Sequence, residues 1–351
     1  MLTDLHRPTA ENTAPDAGSD LQVTAELRVL TGSCGLYPLD SRSKLLVMGE
    51  DRTRWLNGMV TNNIRDLAPG HGVYAFLLNA QGRIQADLCA FHRGKDIVLE
   101  VDRAQAESLL AILDRYIVMD DVQIQPLDDR LTALGVQGPA ATAILRRVKI
   151  EVPGLEPLQL AELTWRETPI TVLRAEAWKG EAYEIWLAPE HRQSLQEALA
   201  QAGAVAVGTA ALRLYRIASG IPRFGEDIRE RDLPQETGQD RALHFTKGCY
   251  VGQEIVERIR SRGKVHRVFT GFALTAPCAA GATIEMRTDT STDTESKAVG
   301  EVTSTAVFPS PTGEHHIALG YLRREAFGKP LSINGALVLK HELPFLELLQ
   351  P

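Results

Sequence analysis

The stretch FTKGCYVGQEIVERIRSRG, Phe245–Gly263, carries the most chemistry per residue in this chain of 351 residues. Cys249 lies two residues after Lys247, between Gly248 and, further on, Gly252. Glycine exposes the backbone and lets a ligand approach closely. Lys247, Arg258, Arg260 and Arg262 are expected to surround the sulfur with positive charge. A thiol near cations has a lowered pKa and becomes the more reactive thiolate. Gln253 and Glu254 add an amide and a carboxylate, a pair that can meet both donor and acceptor edges of a heterocycle. The bland alternative is an inert, buried cysteine. No His or Asp stands at a triad spacing, so the stretch alone does not establish nucleophilic catalysis.

Working outward, this stretch closes a longer segment, Ile221–Arg262, that is dense in charge, Gly and Pro and has little periodicity. A long irregular segment inside a compact protein is usually functional or disordered. Before it, Lys44–Gly49 reads as a short buried strand and Glu50–Met59 as a helix with acidic residues in its first turn. Val73–Leu78, Arg83–Phe91 and Asp96–Val101 read as strands parted by turn residues, and Val122–Pro126 as another. Between them Ala104–Tyr116 is a helix, with Leu109, Leu110, Leu113 and Ile117 at helical spacing. A similar alternation follows: strand Leu131–Val136, helix Pro139–Val148, strands Ile170–Leu173 and Ala182–Leu187, helices His191–Gln201 and Thr209–Ser219. Beyond Arg262, the runs Val265–Leu274, Thr283–Met286, Ala298–Thr303, Ile317–Leu322 and Ala336–Lys340 are short strands, an all-β terminal unit of barrel or sandwich type. Thr288–Lys297 reads as an exposed hairpin tip or loop, and residues 1–20 as a disordered tail. The pattern is α+β, not doubly wound. No GxGxxG follows a strand and no GxxxxGK[ST] occurs.

Composition closes off several classes. Charged residues make up 24% and hydrophobic ones 44%, the balance of a globular domain. The net charge of −7 argues against a nucleic-acid coat protein, and no partner nucleic acid is expected. No apolar run reaches the length of a membrane span, and the first residues lack the basic start and apolar core of a secretory signal. Cys34, Cys89, Cys249 and Cys278 form no CxxC pair, so no zinc site or stable cluster is expected, and free thiols suit a reducing cytoplasm. His266 and His315–His316 lack a third ligand at useful spacing. Trp55, Trp165, Trp178 and Trp186 read as core or platform residues.

KGCYVGQE, with Arg258 and then Arg262–Gly263 behind it, resembles the signature of the YgfZ-type folate-binding proteins, relatives of the glycine-cleavage T-protein (aminomethyltransferase). Four further stretches resemble the same family in the same order. They are LNGMVTNNIRDLAPGHGVYAFLLNAQGRIQADL (Leu56–Leu88), WKGEAYEIWL (Trp178–Leu187), YRIASGIPRFGEDI (Tyr215–Ile228) and AVGEVTST (Ala298–Thr305). The resemblance implies a GcvT/YgfZ-like three-domain ring around a central channel that holds tetrahydrofolate or a one-carbon derivative. Its parts would be a first α+β domain (21–128), a second (129–204), a helix and signature loop (205–262) that helps complete the channel, and a C-terminal β-barrel (263–351).

Carried over by position, the resemblance puts Asn79 and Asp87 on the channel. The T-protein has a pair of Asp residues where this chain reads Ala86–Asp87, which weighs against aminomethyl transfer. Glu184 would meet the pterin edge, since a carboxylate can accept two N–H bonds from an aminopyrimidinone, with Glu181 as its rival. Arg216 would meet the anionic tail of folate. The implied role is support for the maintenance or repair of iron–sulfur enzymes, with such enzymes as client partners. Cys249 would be the key thiol, Lys247 and Arg258 would hold it as thiolate or bind an anion, and Gln253 and Glu254 would fix the loop. The alternatives are a tetrahydrofolate-dependent aminomethyltransferase, in which Asp87 takes part in proton transfer, and a scaffold with a degenerate channel.

Overall fold

A computed structural model describes residues 17–177, 180–289, 294–310 and 313–345. Three β structures organise them. The first is a five-stranded antiparallel sheet whose order in space is His71–Leu78, Ile84–His92, Ile97–Asp102, Arg42–Met48 and Gln123–Pro126. One face packs against helices Arg52–Met59 and Arg103–Asp114 through Leu45, Val47, Leu88, Leu99, Val101, Leu109 and Leu113. The second is a six-stranded sheet in the order Val205–Ala206, Gly35–Pro38, Thr132–Gln137, Ala182–Leu187, Thr168–Arg174, Leu160–Trp165. It is covered by helices Ala141–Arg147 and Arg192–Gln201. The third is a closed six-stranded barrel, formed by strands from Arg267–Leu274 through Ala336–His341. The α+β reading with a terminal barrel therefore describes this fold.

The strand period of two explains how the sheets meet. Along Ile84–His92, Ile84, Ala86, Leu88 and Ala90 are buried, and all but Ile84 face the helices. Asp87, Cys89 and Phe91 take the opposite face. There Phe91 joins Leu46 and Val98 of the first sheet with Leu160, Leu173 and Trp186 of the second in one apolar cluster. Phe91 and Trp186 meet edge to face at 5.4 Å, the favoured aromatic geometry. Both sheets are thus two-sided: one face holds a private core, the other the seam between units.

Several sequence expectations are corrected. Gly35–Pro38 precedes the first sheet in the chain, within the expected first domain, but pairs with Thr132–Gln137 and Val205–Ala206 in the second. Residues 17–20 open the helix Ala17–Gly32, which packs Leu27 and Leu30 against Ala211 and Tyr215 of the helix Thr209–Ala218; residues 1–16 of the expected tail lie outside the described residues. Helix Arg52–Met59 begins after Glu50 and Asp51, so its acidic residues precede the first turn. Strand Leu160–Trp165 was not expected. It joins Thr168–Arg174 through Arg166 and Glu167, both at positive φ (46° and 69°), where the usual Asn or Gly is missing. Ile221–Arg262 is irregular only in part, since Gln253–Arg262 is a helix. Strands Thr283–Asp289 and Thr294–Ser310 form a hairpin that takes in most of the expected loop; residues 290–293 lie outside the described residues, as does Trp178. Among the described residues no helix is long and apolar enough to cross a membrane.

Candidate functional site

A cavity of about 540 Å³ lies on the seam between the two sheets. The first sheet and its hairpin supply Arg42, Tyr74, Asp87, Cys89, Phe91 and Glu100. The second supplies Leu158, Leu173 and Glu184, and the segments around Ser219–Pro222 and Gln239–Arg241 close it. Its volume is in the range of small-molecule sites, which are mostly apolar with a few convergent polar groups.

Three of the polar groups here are the carboxylates Asp87, Glu100 and Glu184, each held by neighbouring side chains. Asp87 accepts a bond from the Tyr74 hydroxyl at 2.8 Å and from Gln105 Nε2 at 3.0 Å, so both oxygens are oriented by the first unit. Glu100 pairs with the buried Lys44 at 3.1 Å and with Arg42 at 3.8 Å, and these cations hold its carboxyl low despite burial. Glu184 stands across the seam. It accepts a bond from Trp186 Nε1 at 3.0 Å, and burial together with the charge of Glu100 pushes its carboxyl well above the carboxylate range. Lys44 also sits over the Trp186 ring at 4.9 Å, so the two acids share one charge network across two units. Burial beside Glu100 pushes the Cys89 thiol up to about 12.

The mouth is set by a short turn, Asp240–Ala242. Thr61 Oγ1 donates to the carbonyl of Ala242, and Asn62 Nδ2 to that of Arg241. These bonds lay the Arg241 guanidinium over the Tyr74 ring at 4.5 Å, where it also pairs with Glu176 of the second unit.

Of the residues expected at a site, the cavity brings together Asp87 and Glu184. Glu181 is turned away: it caps the helix Ala141–Arg147 by accepting from Thr142 N–H and its hydroxyl. Asn79 spends its side-chain oxygen on the N–H groups of Gln81 and Arg83, closing a hairpin turn. Arg216 is bound to the buried Asp227 at 2.5 Å, to Ser304 Oγ and to the carbonyl of Ile221, and it does not line the cavity. None of Lys247, Cys249, Gln253, Glu254 and Arg258 lines the cavity.

The signature loop packs instead on the outside of the first unit. Lys247 Nζ donates to the carbonyls of Asn57, Val60 and Asn62, each at 2.6 Å, where it finishes the helix Arg52–Met59. Burial and the nearby Arg65 push that ammonium down to about 7. Arg260 lies over the Phe245 ring at 4.3 Å. Lys247 thus points inward to carbonyls and Arg260 covers Phe245, while Cys249 is exposed. Gln253 Oε1 accepts from Tyr250 N–H at 3.3 Å, and Glu254 is exposed on the helix surface. Gly252, at φ 83°, leaves no room for a side chain: a Cβ there would meet the carbonyl oxygen of Asn79 at 2.6 Å.

Accessibility alone still singles out Cys249. Cys34 is buried, and burial raises the thiol pKa of Cys34, Cys89 and Cys278. Mild alkylation near neutral pH, read by peptide mapping, is expected to label Cys249 first. Equal labelling of all four thiols in the folded protein contradicts this.

Arg42, Glu100, Tyr74 and Arg241 went unread in the sequence. Glu100 did leave a signal, a single charge inside the apolar run IVLEV, where an unpaired carboxylate is not tolerated. Arg241 left none, because the groups that position its turn are Thr61 and Asn62, 181 and 179 residues from their partners in the chain. Among the described residues no group of three or more metal-ligating side chains is gathered.

Comparison with known proteins gives these findings. The family model described as the GCVT N-terminal domain matches residues 10–247. An aminomethyltransferase of Nostoc sp. is 25% identical over 321 residues, 89% of this chain and 83% of its own length. An aminomethyltransferase of Thermosynechococcus vestitus is 28% identical over 321 residues, covering 86% of this chain and 80% of its own length. The crystal structure of glycine cleavage system aminomethyltransferase T from Bartonella henselae superposes with a TM-score of 0.81 at 23% identity, over 93% of this chain and 90% of that one. It shares the two sheet units and the terminal barrel.

Proposed function

We propose, from the premise that this chain belongs to the GCVT N-terminal domain family, that its seam cavity binds tetrahydrofolate or a one-carbon derivative. The observation that carries this reading is the convergence of Asp87, Glu100 and Glu184, from two units, on one pocket walled by Tyr74, Phe91, Leu158 and Leu173. The acceptor set suits a pterin. Carboxylates accept the paired N–H groups of an aminopyrimidinone, and the aromatic and aliphatic wall covers the ring faces. When bound, tetrahydrofolate supplies the carrier for a one-carbon unit. Of this chain's own groups, Glu184 and Glu100 would take the N–H edge, and Asp87, fixed by Tyr74 and Gln105, would face the remaining ring nitrogens.

The finer reading is a folate-binding protein that supports maintenance or repair of iron–sulfur enzymes, in a cytoplasmic setting. The KGCYVGQE signature, the exposed Cys249 and the apolar Ala86 in place of a second acid support it. All four cysteines are free thiols, which suits a reducing compartment. The relatives named as aminomethyltransferases support the rival, in which the same cavity transfers an aminomethyl group.

Two measurements separate these readings. Titration with tetrahydrofolate, followed through Trp fluorescence, is expected to saturate, because Trp186 donates to Glu184 at the cavity wall. Absence of any saturable change favours the empty scaffold. Incubation with tetrahydrofolate and an aminomethyl donor is expected to give no turnover. Turnover that is lost in Asp87→Asn and kept in Cys249→Ala establishes the transferase.

A further inference from the structure

A second concave site lies beside the helix Gln253–Arg262. Two recesses of about 510 and 570 Å³ share Glu236, Lys264, Val265 and His266 and run together between the helix Gln253–Arg262 and the barrel. Four elements bring cations to this cleft: Arg83 from the first-sheet hairpin, Arg258 from the helix, Lys264 from the link into the barrel, and Arg324 after the barrel strand Gly313–Arg323. None of these four forms an ion pair among the described residues. The cleft's own acids are already taken, Glu236 by Arg267 at 3.1 Å and Glu325 by Lys297 at 2.9 Å. Two of the guanidiniums are held in place by backbone carbonyls, Arg83 by that of Arg231 and Arg324 by that of Val265 at 3.1 Å. Both also line the cleft.

Unneutralised cations gathered in a groove repel one another, and in a chain of net charge −7 they are not the product of a generally basic surface. Positioned guanidiniums are suited to oxyanions, which they bind with two parallel bonds. Because the cations come from four elements along two joined recesses, they match several oxyanions in a row better than one. We propose that this cleft binds a short polyanionic chain, with phosphates or carboxylates as its repeating charge. The proposal goes beyond the folate reading and does not depend on it. It also gives the signature's Arg258 a role that the folate cavity does not.

The test is calorimetric titration of the full chain with tripolyphosphate and, separately, with tetraglutamate, at low and high salt. Saturable binding that weakens with salt is expected for at least one. Lys264→Glu and Arg258→Glu, both exposed positions, are each expected to weaken it by about tenfold or more. Asp87→Asn in the folate cavity and Arg146→Glu on the distant second unit are expected to leave it unchanged. Binding of tripolyphosphate alone assigns phosphate, of tetraglutamate alone a carboxylate chain, and of both a site that reads charge. No saturable binding of either, or an equal loss in Arg146→Glu, overturns the proposal.

Discussion

Glu184→Gln is expected to weaken tetrahydrofolate binding by about tenfold to a hundredfold and, in the same protein, to raise stability above neutral pH. The first effect is read above pH 8, where the Glu184 carboxyl is ionised, and follows from losing a charge-assisted pairing, which contributes about 1.5–3 kcal/mol. The second follows from the crowding of Glu184 and Glu100. Folded Glu184 holds its proton to a higher pH than the unfolded chain does, because of burial and the charge of Glu100. Its contribution to stability is therefore full in acid and is lost as pH rises from the ordinary carboxylate range through the raised value. Gln resembles the protonated acid and does not ionise, so it keeps the bond from Trp186 Nε1 without this loss. Thermal melts are expected to coincide near pH 5 and to separate above pH 7, with the variant higher. A variant that binds folate as tightly as the parent rules out the pterin contact. One that melts lower at both pH values rules out the repulsion.

The second large effect concerns stability alone. Asp227→Ala is expected to cost about 3–5 kcal/mol, because removing one member of a buried pair strands the other. Asp227 is fully buried and accepts from Arg216 Nη1 (2.5 Å), Arg223 N–H (3.0 Å), Thr303 Oγ1 (2.5 Å) and Ser304 Oγ (2.7 Å). One carboxylate therefore ties the helix Thr209–Ala218 and the loop after it to the barrel strand Thr294–Ser310. Removing the solvent-exposed Arg54 from its pair with Asp120 is expected to change stability far less. Urea unfolding measures both. A loss below 1 kcal/mol for Asp227→Ala shows that the buried network is dispensable.

Sequence patterns carried the strands and helices whose apolar residues repeat cleanly, such as Ala182–Leu187, or Arg103–Asp114 with Leu109 and Leu113 at the core. They carried Asp87 and Glu184 only through likeness to a family. Periodicity alone made Glu184 an ordinary strand residue, and what separates it from one is Glu100 on another strand 84 residues earlier. Lys247 and Cys249 show the opposite limit. Neighbours in the chain suggested one electrostatic site, but the loop's packing sends the ammonium into three carbonyls and leaves the sulfur outside. Strand Leu160–Trp165 was missed because its turn uses Arg and Glu in a left-handed conformation, with none of the residues that usually announce one.

The placement of Gly35–Pro38 has a consequence for synthesis. Domains generally fold as units while the chain emerges from the ribosome. The five strands of the first sheet are complete once residue 126 is out. Gly35–Pro38, although made earlier, has nothing to pair with until Thr132–Gln137 appears, and its other edge waits for Val205–Ala206. The nascent polypeptide therefore assembles its first lobe while carrying an unmatched leading segment. The wall bearing Glu184 closes against that lobe only afterwards, so the two acids at the seam are brought together late in biogenesis.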